Sequence, residues 1–177
     1  MAEIAAEAAS ATVTPVTDAI RISATSDKLW RKTRDHITTS GNRDIREIAK
    51  RLVEAMDEIS NAADAVAWGH FAALPLTIEA KDGVQIMATI EDVRSSFEQN
   101  LATLKNAGIT DVVRVVEEVH VPSPGVMIIT CHDNVLRHGR HISKPWRSEI
   151  TLIDVNGYWR LSRIIRAHLR HADNPVP

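Results

Sequence analysis

The sequence predicts an α+β domain in which helices cover one face of a curved antiparallel sheet. Apolar residues at helical spacing dominate residues 44–104, and long β-branched or alternating runs follow from residue 111 to residue 169. Asn156-Gly157 separates the last two runs, and Asn-Gly between such runs is typical of a tight hairpin because both turn residues need a positive φ. A long sheet of this kind, closed by helices, makes a cone with a pocket inside.

The composition is that of an ordinary globular domain. The chain has 177 residues, of which 44% are hydrophobic and 25% are charged, typical of one folded domain. The net charge of −2 argues against a general affinity for nucleic acid or anionic membranes, and no apolar run is long enough to span a bilayer. The single cysteine, Cys131, excludes an internal disulfide. The single cysteine, together with an N-terminus that lacks the basic region of a secretory signal, predicts a cytoplasmic protein.

Three segments divide the chain. Residues 1–43 are rich in Ala, Ser and Thr without a sustained period, so we expect an N-terminal arm, with a short helix from Asp27 to about Ser40. Residues 44–171 carry the regular patterns and form the folded domain. Residues 172–177 form a tail.

Capping residues define the predicted helices. Asp44 opens an amphipathic helix, the string at 61–64 interrupts it, and Asp64 caps a short helix that ends near Phe71. A strand at Leu76–Ala80 and a turn follow. Thr89 and Asp92 then form a capping pattern before a helix that ends near Gly108. The remaining chain predicts four long strands: 111–121, 125–136, 142–155 and 158–169.

Three stretches of sequence resemble a known superfamily. They are the helix ending in NAADAVAWGHFA (61–72), the helix TIEDVRSSFEQNLATL (89–104) and the terminal pair PWRSEITLIDVNGYWRLSRIIRAHL (145–169). Together they resemble the nuclear transport factor two-like superfamily, in particular its SnoaL-like polyketide-cyclase and ketosteroid-isomerase branch. The resemblance implies a cone-shaped sheet covered on its concave side by helices, a conical pocket, and dimerisation through the outer sheet face.

Two residues are candidates for catalysis. The resemblance implies a general base on the first strand, which corresponds to Glu79, although alternation with Leu76 and Ile78 turns Glu79 outward unless the strand is bulged. His132 shares a mixed face with Val126, Ile128 and Thr130, and is either a general base in the pocket or a hydrogen-bonded histidine at the sheet surface. The tyrosine donor of the family has no counterpart, which leaves catalysis open.

The candidate ligand-binding residues are four aromatic residues and one arginine. The aromatic residues either grip a flat ligand or fill the core; they are Trp68, Phe71, Trp146 and Trp159. By alternation Arg163 shares a face with Leu161 and Ile165, where a buried guanidinium needs either a carboxylate, such as Glu79 or Glu117, or an anionic ligand. The resemblance suggests that the pocket is lined by Ile165, Ala167 and Leu169.

Two hypotheses for function follow. The first is a protein that binds a small apolar or anionic molecule in its conical pocket, with isomerase- or lyase-type proton transfer by Glu79 and His132. The second is a non-catalytic dimerisation or adaptor domain that uses a basic outer sheet face, formed by Arg147, Glu149, Arg160 and Arg166. No cofactor motif or metal-ligand spacing occurs, since His138 and His141 lie in a turn without a third ligand. Cys131 is interpreted as a small core residue.

Overall fold

The computed structural model describes residues 45–167, which form three helices and one seven-stranded sheet. The helices are α1 (Ile45–Asn61), α2 (Ala65–Phe71) and α3 (Ile90–Asn106). The strands are β1 (Ala72–Ala80), β2 (Gly83–Met87), β3 (Asp111–Ser123), β4 (Val126–Arg137), β5 (Arg140–His141), β6 (Trp146–Val155) and β7 (Tyr158–Ala167). The predicted arm and its helix, the cap at Asp44 and the C-terminal tail lie outside the described residues.

Helices α2 and α3 begin where their capping residues predict. The side chain of Asp64 accepts a hydrogen bond from the Ala67 amide at 2.9 Å and so caps α2 after the predicted break. At α3, Thr89 Oγ1 accepts from the Asp92 amide at 3.1 Å, and Asp92 Oδ2 accepts from the Thr89 amide at 3.0 Å. This capping box satisfies two amides that the first turn of a helix leaves unpaired.

The sheet is curved and open, with strand order β2-β1-β7-β6-β4-β3 and with β5 attached to β4. The predicted antiparallel pairing holds for every pair among residues 45–167 except β1 and β7, which run parallel. A parallel pair needs a long connection, and here α3 and five strands lie between the two. Asn156 (φ 58°) and Gly157 (φ 82°) form the predicted tight turn between β6 and β7. The sheet is therefore mixed.

Strand β1 starts earlier than predicted and contains an exposed proline, Pro75. The register between β1 and β7 shifts between Ala72 and Thr77, so Pro75 lies where no ladder hydrogen bond to β7 is required. A residue without an amide proton is tolerated at such an irregularity.

One face of the sheet is buried beneath the helices. It carries alternating side chains of β4 and β6, and α1 packs against β3 on the same side. The fully buried core includes Leu52, Met56, Met127, Ile129, Leu152 and Leu161. Cys131 is 0% exposed within this core, which confirms its interpretation as a packing residue.

A bulge in β7 reverses the predicted sides of its second half. Leu161 pairs with Leu152, but Arg163 pairs with the adjacent Thr151, so Ser162 is the extra residue. Leu161 and Ile164 are consequently both buried although they are three residues apart. The prediction that Arg163 and Ile165 share the inner face with Leu161 is therefore wrong. Ile164 and Arg166 point inward instead, which also corrects the placement of Arg166 on the outer face; the side chain of Ala167 and all of Leu169 lie outside the description.

Candidate ligand-binding cavity

A cavity of about 420 Å³ lies between α3, the β1–β2 hairpin and the inner face of the sheet. One wall is aromatic, because Trp68 from α2 stacks on Phe97 from α3 with ring centroids 4.9 Å apart and an interplanar angle of 17°. Ile78 and Ile164 are paired in register on β1 and β7 and form an apolar part of the sheet wall. These surfaces suit the apolar body of a small molecule.

Neutral polar side chains from α3 and β2 form the opposite wall. Ser96 Oγ donates to Gln85 Oε1 at 3.2 Å and so links α3 to the β1–β2 hairpin. Gln99, Asn100 and Thr103 continue this wall along α3. Amide and hydroxyl groups both donate and accept hydrogen bonds, so this wall is able to orient a polar ligand without adding charge.

Arg114 of β3 borders the cavity and is paired with a helix carboxylate. Its Nη1 donates to Asp57 Oδ1 of α1, and its backbone amide donates to Asp57 Oδ2 at 3.0 Å. The two side chains are only 14% and 16% exposed. Burial raises the pKa of the Asp57 carboxyl, and the Arg114 charge opposes that rise.

Asp133 of β4 lies behind the cavity and is 5% exposed. Its Oδ1 accepts from Ser148 Oγ at 2.9 Å, and its Oδ2 accepts from Trp146 Nε1 at 3.0 Å. Burial raises the pKa of this carboxyl, against the lowering effects of the Arg114 charge and of the two hydrogen bonds. Each carboxylate oxygen thus already has a donor.

Arg166 of β7 points from the sheet into the cavity, in register with Ser148. Burial and the nearby Arg114 charge lower its pKa, whereas Asp133 favours its charged form. Within residues 45–167 its guanidinium donates no hydrogen bond and forms no ion pair. The cavity therefore contains a partly buried cationic group whose donors have no protein acceptor among the described residues.

Structure comparison identifies the fold. An NTF2-like protein with a cystatin-like fold from Novosphingobium aromaticivorans matches with a TM-score of 0.55 and 15% identity, covering 72% of this chain and 83% of that one. An NTF2-like protein from Shewanella oneidensis MR-1 matches with a TM-score of 0.54 and 10% identity over 69% and 98% of the two chains. The fold is NTF2-like.

A third NTF2-like match is a Shewanella frigidimarina protein provisionally named a ketosteroid isomerase. Its TM-score is 0.53 and its identity is 14%, covering 66% of this chain and 91% of that one. Neither a protein-family model nor a curated protein matches the sequence. At these identities the likeness shows the NTF2-like fold and leaves the ligand to be argued from the cavity.

Both predicted catalytic residues lie on the face of the NTF2-like sheet opposite the cavity. Arg163 donates to Glu79 Oε1 through Nε at 2.9 Å and Nη2 at 2.5 Å. His132 Nε2 lies 3.2 Å from Glu117 Oε2, which Arg147 Nε also contacts at 3.1 Å. His132 therefore lies at the sheet surface, which is one of the two alternatives that the sequence left open. Arg163 pairs with Glu79, as one alternative predicted, but the prediction that it faces the inside of the cone is wrong. Glu79 is turned outward as simple alternation predicts, since the β1 irregularity ends before Thr77.

The predicted aromatic residues divide between the cavity and the core. Trp68 lines the cavity. Phe71 is buried in the hydrophobic core, and the partly buried Trp159 packs against that core. Trp146 donates its indole hydrogen to Asp133, so it supports the polar cluster rather than contacting the cavity.

The cluster formed by Asp57, Arg114, Asp133 and Arg166 was not predicted from the sequence. One signal was available for Asp133, because it alternates in phase with Met127, Ile129 and Cys131. A buried Cys131 therefore requires a buried Asp133 and an outward His132. No such signal exists for Arg166, whose orientation depends on the β7 bulge, or for Asp57, whose partner lies on a distant strand.

Across residues 45–167 no group of three or more His, Cys, Asp or Glu side chains is arranged to hold a metal ion. In the same range no helix is long and apolar enough to cross a membrane.

Proposed function

We propose that this NTF2-like domain binds a small organic molecule in the cavity between α3 and the β1–β2 hairpin. The cavity itself carries the proposal, because its volume of about 420 Å³ falls within the range of about 300–1,000 Å³ that is usual for ligand sites. It combines an aromatic wall at Trp68 and Phe97 with a polar wall and two arginines. The free and buried Cys131 supports a reducing, cytoplasmic setting for this function.

Binding is better supported than proton transfer. Glu79 and His132, the sequence candidates for a general base, lie on the opposite face of the sheet. The two buried carboxyls with a raised pKa, Asp57 and Asp133, do not border the cavity, and their oxygens already accept hydrogen bonds. A general base must reach the proton that it removes, so these residues favour a binding role.

A matched pair of serine variants tests the proposal. Ser96 borders the cavity, whereas its neighbour Ser95 is exposed on α3. We expect 2-naphthoate or 2-naphthamide to bind the parent protein in isothermal titration calorimetry, and Ser96→Trp to abolish binding by filling the cavity. Ser95→Trp adds the same side chain outside the cavity and should bind as the parent does. Failure of both probes to bind the parent, or full binding by Ser96→Trp, would overturn the proposal.

Homodimerisation through the outer sheet face is a second candidate function. Exposed apolar residues on the outer face of the two edge strands favour it: Ile86, Val113 and Val115. Light scattering coupled to size exclusion is expected to give twice the chain mass. Val115→Asp is then expected to give the mass of one chain, and a parent that is monomeric at high concentration would exclude this function.

A further inference from the structure

We infer that the recognised group of the ligand is a carboxylate, bound by the guanidinium of Arg166. This inference rests on the proposed binding function and names the chemical class of the ligand. It depends on how the two acidic and two basic side chains behind the cavity are paired, and on the apolar surroundings of Arg166.

The hydrogen bonds leave one cation without an acceptor. Asp57 binds Arg114 through both of its oxygens. Asp133 accepts from Ser148 and Trp146, one donor on each oxygen. Arg166 lies close enough to Asp133 to be stabilised by its charge, but it donates no hydrogen bond within the described chain. Arg166 is partly buried, so its charge has lost part of its contact with water and an anionic partner in the cavity would stabilise it.

The shape of the site favours a carboxylate over other anions. A guanidinium presents two parallel N–H groups that match the two oxygens of a carboxylate. One free guanidinium balances one negative charge, whereas a phosphate dianion would need further cations. Ile164, two residues earlier on the same inner face, and Ile78 beside it form an apolar surface next to Arg166. A carboxylate attached to a flat apolar body matches this arrangement.

Asp82 also borders the cavity and carries the opposite charge. It lies in the exposed β1–β2 turn and forms no ion pair with Arg166 within residues 45–167. Its charge is therefore solvated at the rim, where water screens it from the guanidinium. The Asp82 carboxylate at the rim therefore does not act as the acceptor that Arg166 lacks within residues 45–167.

The test compares two ligands and two arginine variants. The ligands 2-naphthoate and 2-naphthamide share one ring system and differ in charge. The variants Arg166→Gln and Arg163→Gln remove the same side chain from the inner and the outer face of β7. In calorimetry, we expect the parent to bind the carboxylate at least about tenfold more tightly than the amide, as a hydrogen bond between charged groups implies. Arg166→Gln should abolish that preference while retaining the amide, and Arg163→Gln should behave as the parent does.

The outcomes separate this inference from the proposed function. Equal affinity of the parent for both ligands, or an unchanged preference in Arg166→Gln, would overturn the carboxylate assignment and leave cavity binding intact. Absence of binding for both ligands in the parent would overturn both proposals. If Arg166→Gln does not fold, Arg166→Lys keeps the charge but loses the two-pronged geometry. It should then bind the carboxylate several-fold more weakly than the parent, and parental affinity in this variant would contradict the inference.

Discussion

Asp133 connects strands β4 and β6 inside the core through hydrogen bonds to Ser148 and Trp146. A carboxyl group that is 5% exposed is unfavourable unless its oxygens are paired, and here each oxygen has a donor. Because the same carboxyl stabilises the charge of Arg166, it links the packing of the sheet to the electrostatics of the cavity.

We expect Asp133→Ala to lower the free energy of unfolding by about 3 kcal/mol, because it leaves a buried hydroxyl and an indole N–H without an acceptor. Urea denaturation followed by circular dichroism measures this change. Glu79→Ala is the control, since it removes a carboxylate from a partly exposed ion pair with Arg163 and should cost less than about 1 kcal/mol. Equal costs for the two variants would contradict the assigned role of Asp133.

His70 of α2 is a partly buried group whose ionisation affects stability. Its Nε2 is buried and has no hydrogen-bond partner within residues 45–167. Burial lowers the pKa of His70 below 6.5, the charges of Arg94 and Arg160 lower it further, and Asp64 opposes them. The folded protein therefore binds a proton at His70 less readily than the unfolded chain does.

This shift predicts a pH dependence of stability. Above pH 6.5, the ordinary pKa, His70 is neutral in both states and its contribution to stability is fully present. As pH falls from 6.5 towards the lowered pKa, the unfolded chain takes up the proton first, so stability decreases. Urea midpoints between pH 7.5 and pH 5.5 should show this decrease in the parent and a shallower one in His70→Gln. Equally steep profiles would contradict it.

Among the elements, β7 has the greatest effect on the site because a single extra residue reorients its second half. Ser162 is bulged between Leu161 and Arg163, and its Oγ donates to the Thr151 carbonyl at 3.1 Å. A bulge that adds one residue exchanges the two faces of every later position in the strand. This exchange directs Arg166 towards the cavity and Arg163 towards solvent.

Deletion of Ser162 tests the importance of the bulge. The deletion joins Leu161 directly to Arg163, so regular alternation leaves Arg163 outward and Ile164 and Arg166 inward, as in the parent. Ser162→Ala removes only the hydrogen bond to the Thr151 carbonyl and should cost about 1 kcal/mol. We expect the deletion variant to fold and to match Ser162→Ala to within about 1 kcal/mol in the free energy of unfolding, measured by urea denaturation. A deletion variant that fails to fold would show that Ser162 is not the single extra residue of the bulge.

At the scale of the whole molecule, Cys131 reports on the integrity of the core. It is the single cysteine of the sequence and lies in the centre of the sheet on β4. Burial raises the pKa of its thiol from 9.0 to about 12, which leaves very little of the reactive thiolate at neutral pH. The thiol is therefore protected in two ways: reagents do not reach it, and it stays protonated, which is its unreactive form.

We expect a chromogenic disulfide reagent to label Cys131 only when the domain opens. Absorbance should show one thiol per chain within seconds in denaturant, and labelling in native buffer that is slower by orders of magnitude. The native rate should rise with urea in parallel with the opening of the sheet. Rapid and complete labelling of the native protein would contradict the buried position of Cys131.

Patterns within short segments determined the elements of this fold. The caps at Asp64 and Thr89 and the Asn156-Gly157 turn could be predicted because each depends on hydrogen bonds or backbone angles of adjacent residues. The order of helices and long strands likewise predicted an α+β cone, and the structure confirms the NTF2-like fold.

Tertiary structure alone decided which side chains reach the cavity. Whether Arg163 or Arg166 points inward depends on a bulge that is defined by the pairing of β7 with β6, and the partner of Arg114 comes from a helix 57 residues away in sequence. Such pairings depend on the packing of segments that are distant in sequence, and the local periodicity of apolar residues does not predict them. The sequence by itself determined the α+β cone, whereas the register between strands decided which charged side chains face its interior.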